Sequence, residues 1–251
     1  MKLKTKTEIA LMRAGGRILR HVLNELSQNL KPGVSLKELD LLARNLIAAA
    51  GAVPAFLNYQ PAGARLPYPA AICASLDSTV VHGLPTDYRL KNDDLISIDL
   101  GVKFQGLFTD AAFTKIIGEG SPNLQKLLRV TKECLILAVK AARPGATLGD
   151  LGHAIESHAV QNGFNVIKLL TGHGVGHALH EEPTVYNFGS PGEGLKLKAG
   201  LTLAIEPMLT SGSGDIRSLP DDSYVTADGA PAAHFEHTIA ITAGTPLILT
   251  E

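Results

Sequence analysis

A repeated segment is the feature that most constrains how this chain can fold. The nine residues KPGVSLKEL at positions 31–39 return 112 positions later as RPGATLGDL at positions 143–151. A second match, Ile98-Asp99 against Ile205-Glu206, lies 107 positions apart. Periods of this length are too long for a solenoid. Coincidence between two common helix-start signals is the alternative, but the agreement favours one domain over residues 1–251 with half-repeats of roughly 1–120 and 121–251.

Each half is predicted to run from a helix through a Pro-Gly turn to a capped helix and then strands. Thr5 and Glu8 have capping-box spacing, and Pro32-Gly33 ends that first helix. Ser35 and Glu38 cap the second helix, which is expected to end near Gly51. In the second half, Ser121-Pro122 begins a helix with proline at its first position.

Strands are expected in the part of the first half that follows its helices. Alternation and apolar runs predict them over residues 70–81, 94–102 and 108–117. Residues 52–69 contain four prolines and three aromatic residues and are predicted to form a long irregular loop or short strands. Such loops in compact domains are often functional.

Composition and charge exclude several classes of protein. Hydrophobic residues make up 45% and charged residues 19%, which is typical of a globular protein. The 23 Lys and Arg nearly balance the 24 Asp and Glu, so nucleic acid is not an expected partner. No apolar run is long enough for a membrane span, and the first sixteen residues lack the apolar core of a signal peptide. We therefore expect a cytoplasmic protein with reduced thiols, and its near-neutral charge is compatible with a monomer.

Four acidic residues lie in apolar segments, and a histidine lies among glycines. A single acid in a strand is more often a salt-bridge partner than a metal ligand. Four of them gathered in one core would repel one another by several kcal/mol unless cations neutralised them. Oxygen ligands with one imidazole suit Mn, Fe, Co or Zn, and shared carboxylates can bridge two such ions. The residues are Asp99, Asp110, Glu206, Glu236 and His173.

The ordered motifs of the chain resemble those of type I methionine aminopeptidases over essentially its whole length. The motifs are VHGLP at 81–85, the Asp99/Asp110 pair, TGHGVG at 171–176, HEEP at 180–183, IEPM at 205–208 and FEHT at 235–238. The resemblance implies an α+β, pita-bread fold with an internal pseudo-two-fold repeat, in which helices cover a curved antiparallel sheet. It also makes residues 1–251 a single catalytic metallopeptidase domain.

The resemblance assigns the metal site and the catalytic groups. Five residues match the ligands of two divalent ions (Co, Mn, Fe or Zn), with Asp110 and Glu236 bridging: Asp99, Asp110, His173, Glu206 and Glu236. A water or hydroxide that bridges the metals would attack the scissile carbonyl, and Glu206 would accept its proton. His180 matches the residue that binds this carbonyl, and His82 matches a substrate contact near the scissile amide. Loop packing is the structural alternative for both histidines.

The substrate pocket follows the family pattern less closely. Tyr68 and Cys73 stand at the family's spacing before His82 and are expected to line a small apolar pocket for the methionine side chain. For Cys73 the alternative is a plain buried core thiol. Arg65 stands where a second pocket tyrosine is usual, and residues 221–225 lack the tryptophan typical of bacterial members, with Tyr224 nearby.

The leading functional hypothesis is a metal-dependent aminopeptidase that removes the initiator methionine from nascent peptides when the second residue is small. Its partners would be the N-termini of newly made polypeptides, and transient ribosome association is left open. The first alternative is an Xaa-Pro aminopeptidase or dipeptidase of the same fold, although those enzymes usually carry an extra N-terminal domain. The second is a non-catalytic peptide-binding module, which would be expected to have lost metal ligands.

Overall fold

The computed structural model describes residues 2–61 and 63–251, so Met1 and Ala62 lie outside the described residues. Within these ranges the chain forms four α-helices: α1 (Lys6–Asn29), α2 (Leu36–Ala49), α3 (Pro122–Ala141) and α4 (Leu148–Gln161). The strands are β1 (Val53–Pro54), β2 (Cys73–Leu76), β3 (Thr79–Val81), β4 (Leu95–Phe104), β5 (Leu107–Ile116), β6 (Asn165–Val166), β7 (Thr171–Gly174), β8 (Glu181–Tyr186), β9 (Thr202–Ile205), β10 (Met208–Thr210), β11 (Ile216–Ser218), β12 (Tyr224–Thr226), β13 (Ala232–His234), β14 (His237–Ala240) and β15 (Leu247–Ile248).

The helices begin where the capping signals predict. The Thr5 and Ser35 side chains accept hydrogen bonds from the backbone N–H of Glu8 and Glu38, whose carboxylates bond back to the cap residues. The Ser121 side chain caps α3 in the same way, with proline at the first position. Over the described part of the chain, no helix is both long enough and apolar enough to cross a bilayer.

The two halves repeat the same contacts between the Pro-Gly turn and the segment that leads into the later strands. In the first half, Gly33 N–H donates to Leu90 O, and Leu36 N–H donates to Tyr88 O. In the second half, Gly145 donates to Leu197, and Leu148 donates to Leu195 in the same way. Isolated bridges between residues 35 and 89 and between residues 147 and 196 complete the correspondence. The sequence repeat therefore corresponds to a repeated tertiary motif.

Every strand pairing among the described residues is antiparallel, and the two larger sheets belong to different halves. The first sheet has the order β1-β4-β2, with β5 also paired to β4. The second has the order β15-β14-β9-β7-β8. Helices α1 and α2 cover the first sheet through apolar residues such as Leu19 and Ile47, and α3 and α4 cover the second through residues such as Leu127 and Ile155. The core is therefore formed by two helix-on-sheet layers.

One predicted strand differs from the structure. Residues 70–81 do not form one strand: β2 and β3 are separated by a turn at Asp77, which adopts a φ of 50°. After this turn β3 pairs with β12, where Val81 lies opposite Tyr224. Residues 52–69, predicted as an irregular loop or short strands, begin with the short strand β1, which pairs with β4.

Candidate metal centre and substrate cavity

The first two acidic residues share one face of the β4–β5 ladder. Asp99 lies opposite Ala112, and Asp110 lies opposite Gly101. Residues directly opposite in an antiparallel ladder project to the same face, and so do residues two apart. Asp99 and Asp110 are therefore diagonal neighbours, which explains why the motif needs a hairpin between them.

The second half builds the same arrangement with an imidazole in place of one carboxylate. His173 on β7 lies opposite Ala204 on β9, and Glu206 follows two residues after Ala204. His173 and Glu206 are thus also diagonal neighbours, with 3.5 Å between His173 Nε2 and Glu206 Oε1. The His173 Nδ1–H donates to Gly174 O over 2.8 Å, which leaves Nε2 as a free lone pair aimed at the carboxylates.

Glu236 joins the two halves at this point. It immediately precedes β14, whose His237 lies opposite Ile205, and its N–H donates to Ala112 O of β5 over 2.9 Å. Thr238 ties the same strands together, because its hydroxyl accepts from Asp110 N–H and donates to Asp110 O, both over 2.8 Å. The seam between the two sheets is therefore fixed by hydrogen bonds at the residues that carry the acids.

The five predicted metal ligands consequently meet in one place. Asp110, His173 and Glu236 each offer a ligand atom within 4.8 Å of the other two. Glu206 adjoins this group through His173, and Asp99 adjoins it through its ladder position beside Asp110. His173 Nε2 is 4.0 Å from Asp110 Oδ2.

The carboxyl groups are held in an environment that disfavours their charge. Burial, followed by the charge of Glu206, raises the pKa of Asp110 to about 8, and burial raises the pKa of Glu206 to about 7. Burial and repulsion from neighbouring acids raise the pKa of Asp99 and of Glu236 well above the ordinary carboxyl value. Oxygen atoms of Asp99, Asp110 and Glu236 are buried without a hydrogen-bond partner within residues 2–61 and 63–251. Unpaired buried carboxylates are costly unless a cation pairs with them, so this donor set fits a centre for divalent metal ions.

His234, which the sequence patterns did not single out, adjoins this group. It ends β13, is 1% exposed, and places Nε2 3.4 Å from Glu206 Oε2. Burial lowers the pKa of His234 to about 3, so the ring is neutral at pH 7, and its Nε2 has no hydrogen-bond partner among the described residues. Its position two residues before Glu236 on an extended segment is the sequence signal that could have indicated it.

The metal-binding group forms the floor of a cavity of about 810 Å³. Every residue assigned to the site from the sequence lines this cavity. The lining includes Asp99, Asp110, His173, Glu206, Glu236, His82, His180, Tyr68 and Cys73. It also includes Tyr59, to which the sequence patterns assigned no role.

His180 projects into the cavity beside the metal-binding group. Its ring centroid is 4.3 Å from that of His173. Desolvation and the nearby rings of His173 and His82 lower the pKa of His180 to about 3. Its Nδ1 lies 2.7 Å from the Tyr59 hydroxyl, and burial raises the pKa of Tyr59, which keeps that hydroxyl protonated. When the hydroxyl donates to Nδ1, Nε2 carries the proton and is available to donate to a carbonyl oxygen.

His82 lies on the opposite side, directly after β3. It adopts a φ of 60°, and its ring packs edge-on against Tyr224 with centroids 5.8 Å apart. Its Nδ1 is 3.4 Å from Asp222 O. Tyr224 thus stands beside His82 in the region where the family pattern has a tryptophan.

Tyr68 and Cys73 form the apolar end of the cavity. The Tyr68 hydroxyl lies 2.9 Å from Ile72 O and 2.8 Å from Gly83 O, so its single proton has an acceptor and the ring lines the cavity. Cys73 lies opposite Asp99 across β2 and β4 and is buried, and burial raises the pKa of its thiol well above the ordinary value. The thiol is therefore neutral and suited to an apolar contact.

The structure corrects the position of the second pocket tyrosine. Arg65 is at the rim, with its side chain 62% exposed, and it contacts Asp222 through its N–H (2.8 Å) and its guanidinium (3.6 Å). Tyr59 occupies the cavity, since backbone bonds from Asn58 to Tyr68 and from Tyr68 to Tyr59 hold the two tyrosines side by side. Counting residues back from Tyr68 pointed to Arg65 because the intervening residues loop outwards.

Known proteins resemble this chain in sequence over nearly its whole length. A family model described as metallopeptidase family M24 matches residues 10–243. The sequence is 43% identical over 240 residues to methionine aminopeptidase 1 of Bacillus subtilis, covering 95% of this chain and 94% of the relative. It is also 43% identical over 257 residues to a methionine aminopeptidase of Aquifex aeolicus, covering 100% and 99% of the two chains.

Solved structures also resemble this chain in fold. A methionine aminopeptidase structure from Thermotoga maritima superimposes with a TM-score of 0.96 at 40% identity, covering 100% of this chain and 99% of that one. A prolidase from Pyrococcus furiosus shares the fold at a TM-score of 0.78 and 22% identity, covering 99% of this chain and 65% of its own. The expected α+β, pita-bread fold is thereby confirmed.

Proposed function

Because this chain belongs to metallopeptidase family M24, we propose that it removes the N-terminal methionine from newly made polypeptides when the second residue is small. The observation that carries the proposal is the convergence of four acidic residues and His173 at the floor of one cavity, with Asp110 and Glu236 buried there. The full-length likeness to relatives named methionine aminopeptidase supports the same substrate.

Two divalent ions would be held by Asp99, Asp110, His173, Glu206 and Glu236. When bound, such ions would lower the pKa of a coordinated water and polarise the scissile carbonyl. The chain's own groups would supply the rest of the chemistry. The carboxylate of Glu206 would accept a proton, and the neutral ring of His234 lies beside it, with 3.4 Å between Nε2 and Oε2.

The two cavity histidines would act on the peptide itself. His180 Nε2 would donate to the scissile carbonyl oxygen and stabilise the negative charge that develops there. The Tyr59 hydroxyl, 2.7 Å from Nδ1, would keep His180 in the required tautomer. His82 would contact the substrate near the scissile amide from the opposite side.

The methionine side chain would enter the apolar end of the cavity. Tyr68 and Cys73 line it, and Phe56 packs edge-on against the Tyr68 ring with centroids 6.4 Å apart. A flexible thioether matches an aromatic and thiol-lined pocket, because sulfur contacts aromatic ring edges favourably. This pocket favours methionine over the substrates of Xaa-Pro peptidases, which share the fold alone at 22% identity.

The remaining expectations accompany this proposal. We propose that residues 1–251 act as one catalytic domain, as a monomer in the cytoplasm, on the N-termini of nascent chains. Metal titration would identify the two ions, and ribosome co-sedimentation would test transient association with the ribosome.

Paired peptide substrates test the function directly. The purified protein, loaded with Co(II) or Mn(II), is offered one peptide beginning Met-Ala and another beginning Ala-Pro, with a chelator-treated sample as control. Release of free methionine from the first peptide alone is the expected result. Cleavage of the second peptide alone would identify an Xaa-Pro peptidase, and no turnover with either ion would favour the binding module.

A further inference from the structure

The segment that carries His180 is held by residues from the far N-terminal end of the chain. We call residues 175–181 the His180 turn. Val175 O accepts from the Thr202 hydroxyl, and Gly176 N–H donates to Ala178 O over 3.0 Å. Between these bonds and the start of β8, the turn belongs to no regular helix or strand. Its geometry therefore depends on side chains that reach it from elsewhere.

Lys4 is one of these side chains, and its burial is unusual for a lysine. Its side chain is 1% exposed, and Nζ lies 2.5 Å from Glu181 Oε2. Its backbone N–H donates to Gly200 O over 2.7 Å, which anchors the segment before α1 against the second half. Lysine is rarely fully buried unless it is paired, so this ion pair is a specific feature of the site's surroundings.

Glu181 links Lys4 to the His180 turn. Its second oxygen, Oε1, accepts hydrogen bonds from the backbone N–H groups of His177 and Ala178, the latter over 2.8 Å. A carboxylate that accepts two backbone bonds fixes the orientation of both peptide groups. Because Lys4 pairs with the other oxygen, Oε2, both oxygens of the Glu181 carboxylate are held, and Glu181 directly follows His180 in the chain.

Two further contacts come from the same end of the chain. His177 Nε2 lies 2.7 Å from Oε1 of Glu8, the residue that also completes the capping box of α1. Gly176 makes room for the lysine, because a Cβ at this position would lie 2.2 Å from Lys4 Cε. The turn and the lysine side chain are therefore fitted to each other.

We propose that Lys4 is a positioning residue for His180, acting through Glu181. The pair holds the His180 turn so that the His180 ring stays beside His173, at a centroid distance of 4.3 Å, and faces the cavity. Lys4 does not itself line the cavity and reaches the lining through Glu181, so its effect on His180 is indirect. The inference rests on the proposed function, since the role of His180 belongs to that function.

Kinetics of Lys4→Met test the proposal, with Lys6→Met as the matched control on an exposed residue of the same segment. We expect kcat for a Met-Ala peptide to fall about 10-fold or more, with KM within about 2-fold, because small misplacements of a catalytic group reduce the rate steeply. Lys4→Arg should restore most of kcat, and Lys6→Met should match the wild type. A folded Lys4→Met protein with wild-type kcat would overturn the proposal.

Amide hydrogen exchange supplies a readout that does not depend on activity. In Lys4→Met the backbone N–H groups of His177 and Ala178 should exchange faster, while bound metal, measured on the same samples, stays at the wild-type amount. Unchanged exchange at these amides would contradict the proposal even if activity fell. A wild-type protein that releases no methionine would refute the proposed function instead, and the exchange comparison would still decide the positioning.

A second variant covers the case in which Lys4→Met fails to fold, since removing one partner leaves the other charge buried and unpaired. The double variant Lys4→Met/Glu181→Gln removes both charges and keeps an amide oxygen for the two backbone bonds. We expect it to fold and, because the lysine no longer fixes residue 181, to have a kcat below that of the wild type. A folded double variant with wild-type kcat would overturn the proposal.

Discussion

The floor and the mouth of the cavity are built in different ways. The acids of the floor lie on or beside paired strands, where backbone ladders fix every position, and Asp110 is only 3% exposed. The mouth consists of residues 59–61, 63–67 and 219–223, where Leu66 is 73% exposed. Backbone ladders hold most of the floor, with the Thr238 hydroxyl as an added tie at Asp110, whereas the mouth depends on individual side-chain contacts such as the bond between Tyr59 and His180.

This difference indicates where substitutions should matter. On the floor, side chains perform the chemistry and the backbone is already fixed, so a lost carboxylate should remove function. In the mouth, side chains fix other side chains, and each loss should reduce function by the value of one hydrogen bond or ion pair. The effect of a substitution is therefore expected to decrease from the floor to the mouth.

Asp110→Asn should have the largest effect. The amide keeps the shape but loses the charge that a bridging ligand needs, so bound metal should fall and methionine release should decrease by about 1,000-fold or more. Metal analysis by mass spectrometry and a peptide assay measure the two losses. Asp87→Asn, on an exposed residue far from the cavity, serves as control, and an active metal-loaded Asp110→Asn would refute the bridging role.

Tyr59→Phe should reduce kcat by about 5- to 20-fold, the kinetic equivalent of one hydrogen bond of about 1–2 kcal/mol. The substitution removes the hydroxyl 2.7 Å from His180 Nδ1 and leaves the ring in place. Steady-state kinetics on a Met-Ala peptide provide the measurement. Tyr186→Phe, at a half-exposed tyrosine outside the cavity lining, should be neutral. Equal rates for both variants would show that the mouth does not control His180.

Arg65→Ala should raise KM by no more than about 3-fold. Its ion pair with Asp222 is largely exposed, and exposed pairs contribute about 0–1 kcal/mol. Arg89 forms a similarly exposed pair with Glu38, 3.4 Å apart and remote from the cavity, so Arg89→Ala is a matched control without effect on KM. A much larger effect of Arg65→Ala would place Arg65 among the substrate contacts.

The two cysteine thiols should not react with a labelling reagent in the folded protein. Cys73 and Cys134 are both buried, and burial raises the pKa of Cys134 to about 12 and that of Cys73 well above its ordinary value. Iodoacetamide at pH 7.5 should therefore leave both unmodified, while urea-unfolded protein gains two adducts by mass spectrometry. Rapid labelling of Cys73 alone would indicate that the floor opens to solvent far more than its strands suggest.

The candidate metal ligands were indicated by residue type and surroundings. Four acids stand in apolar segments, and two of them, Asp99 and Glu206, occupy matching positions of the two half-repeats. The resemblance to methionine aminopeptidases is confirmed by relatives over the full chain. The prediction of a single strand over residues 70–81 was wrong, because alternation does not reveal a turn such as that at Asp77.

The side chains at the mouth of the cavity could not be predicted from the sequence, and the reason is physical. Spacing along the chain locates a residue only while the backbone follows a regular path, and residues 60–61 and 63–67 belong to no helix or strand. Tyr59 was therefore missed, although backbone bonds bring it beside Tyr68, and Arg65, which stands where the family has a tyrosine, lies at the rim. His234 was missed because its contact with Glu206 joins segments far apart in sequence.

By itself, the sequence determined the repeat, the capped helices and the family, and it indicated a set of candidate metal ligands, because each is written in local spacing and residue chemistry. Only the tertiary structure decided which residues surround those candidates: Tyr59 beside His180, His234 beside Glu206, and Lys4 beside the His180 turn. The contacts of Tyr59 and Lys4 cross between the half-repeats and that of His234 joins distant segments of the second, and no local pattern encodes such contacts.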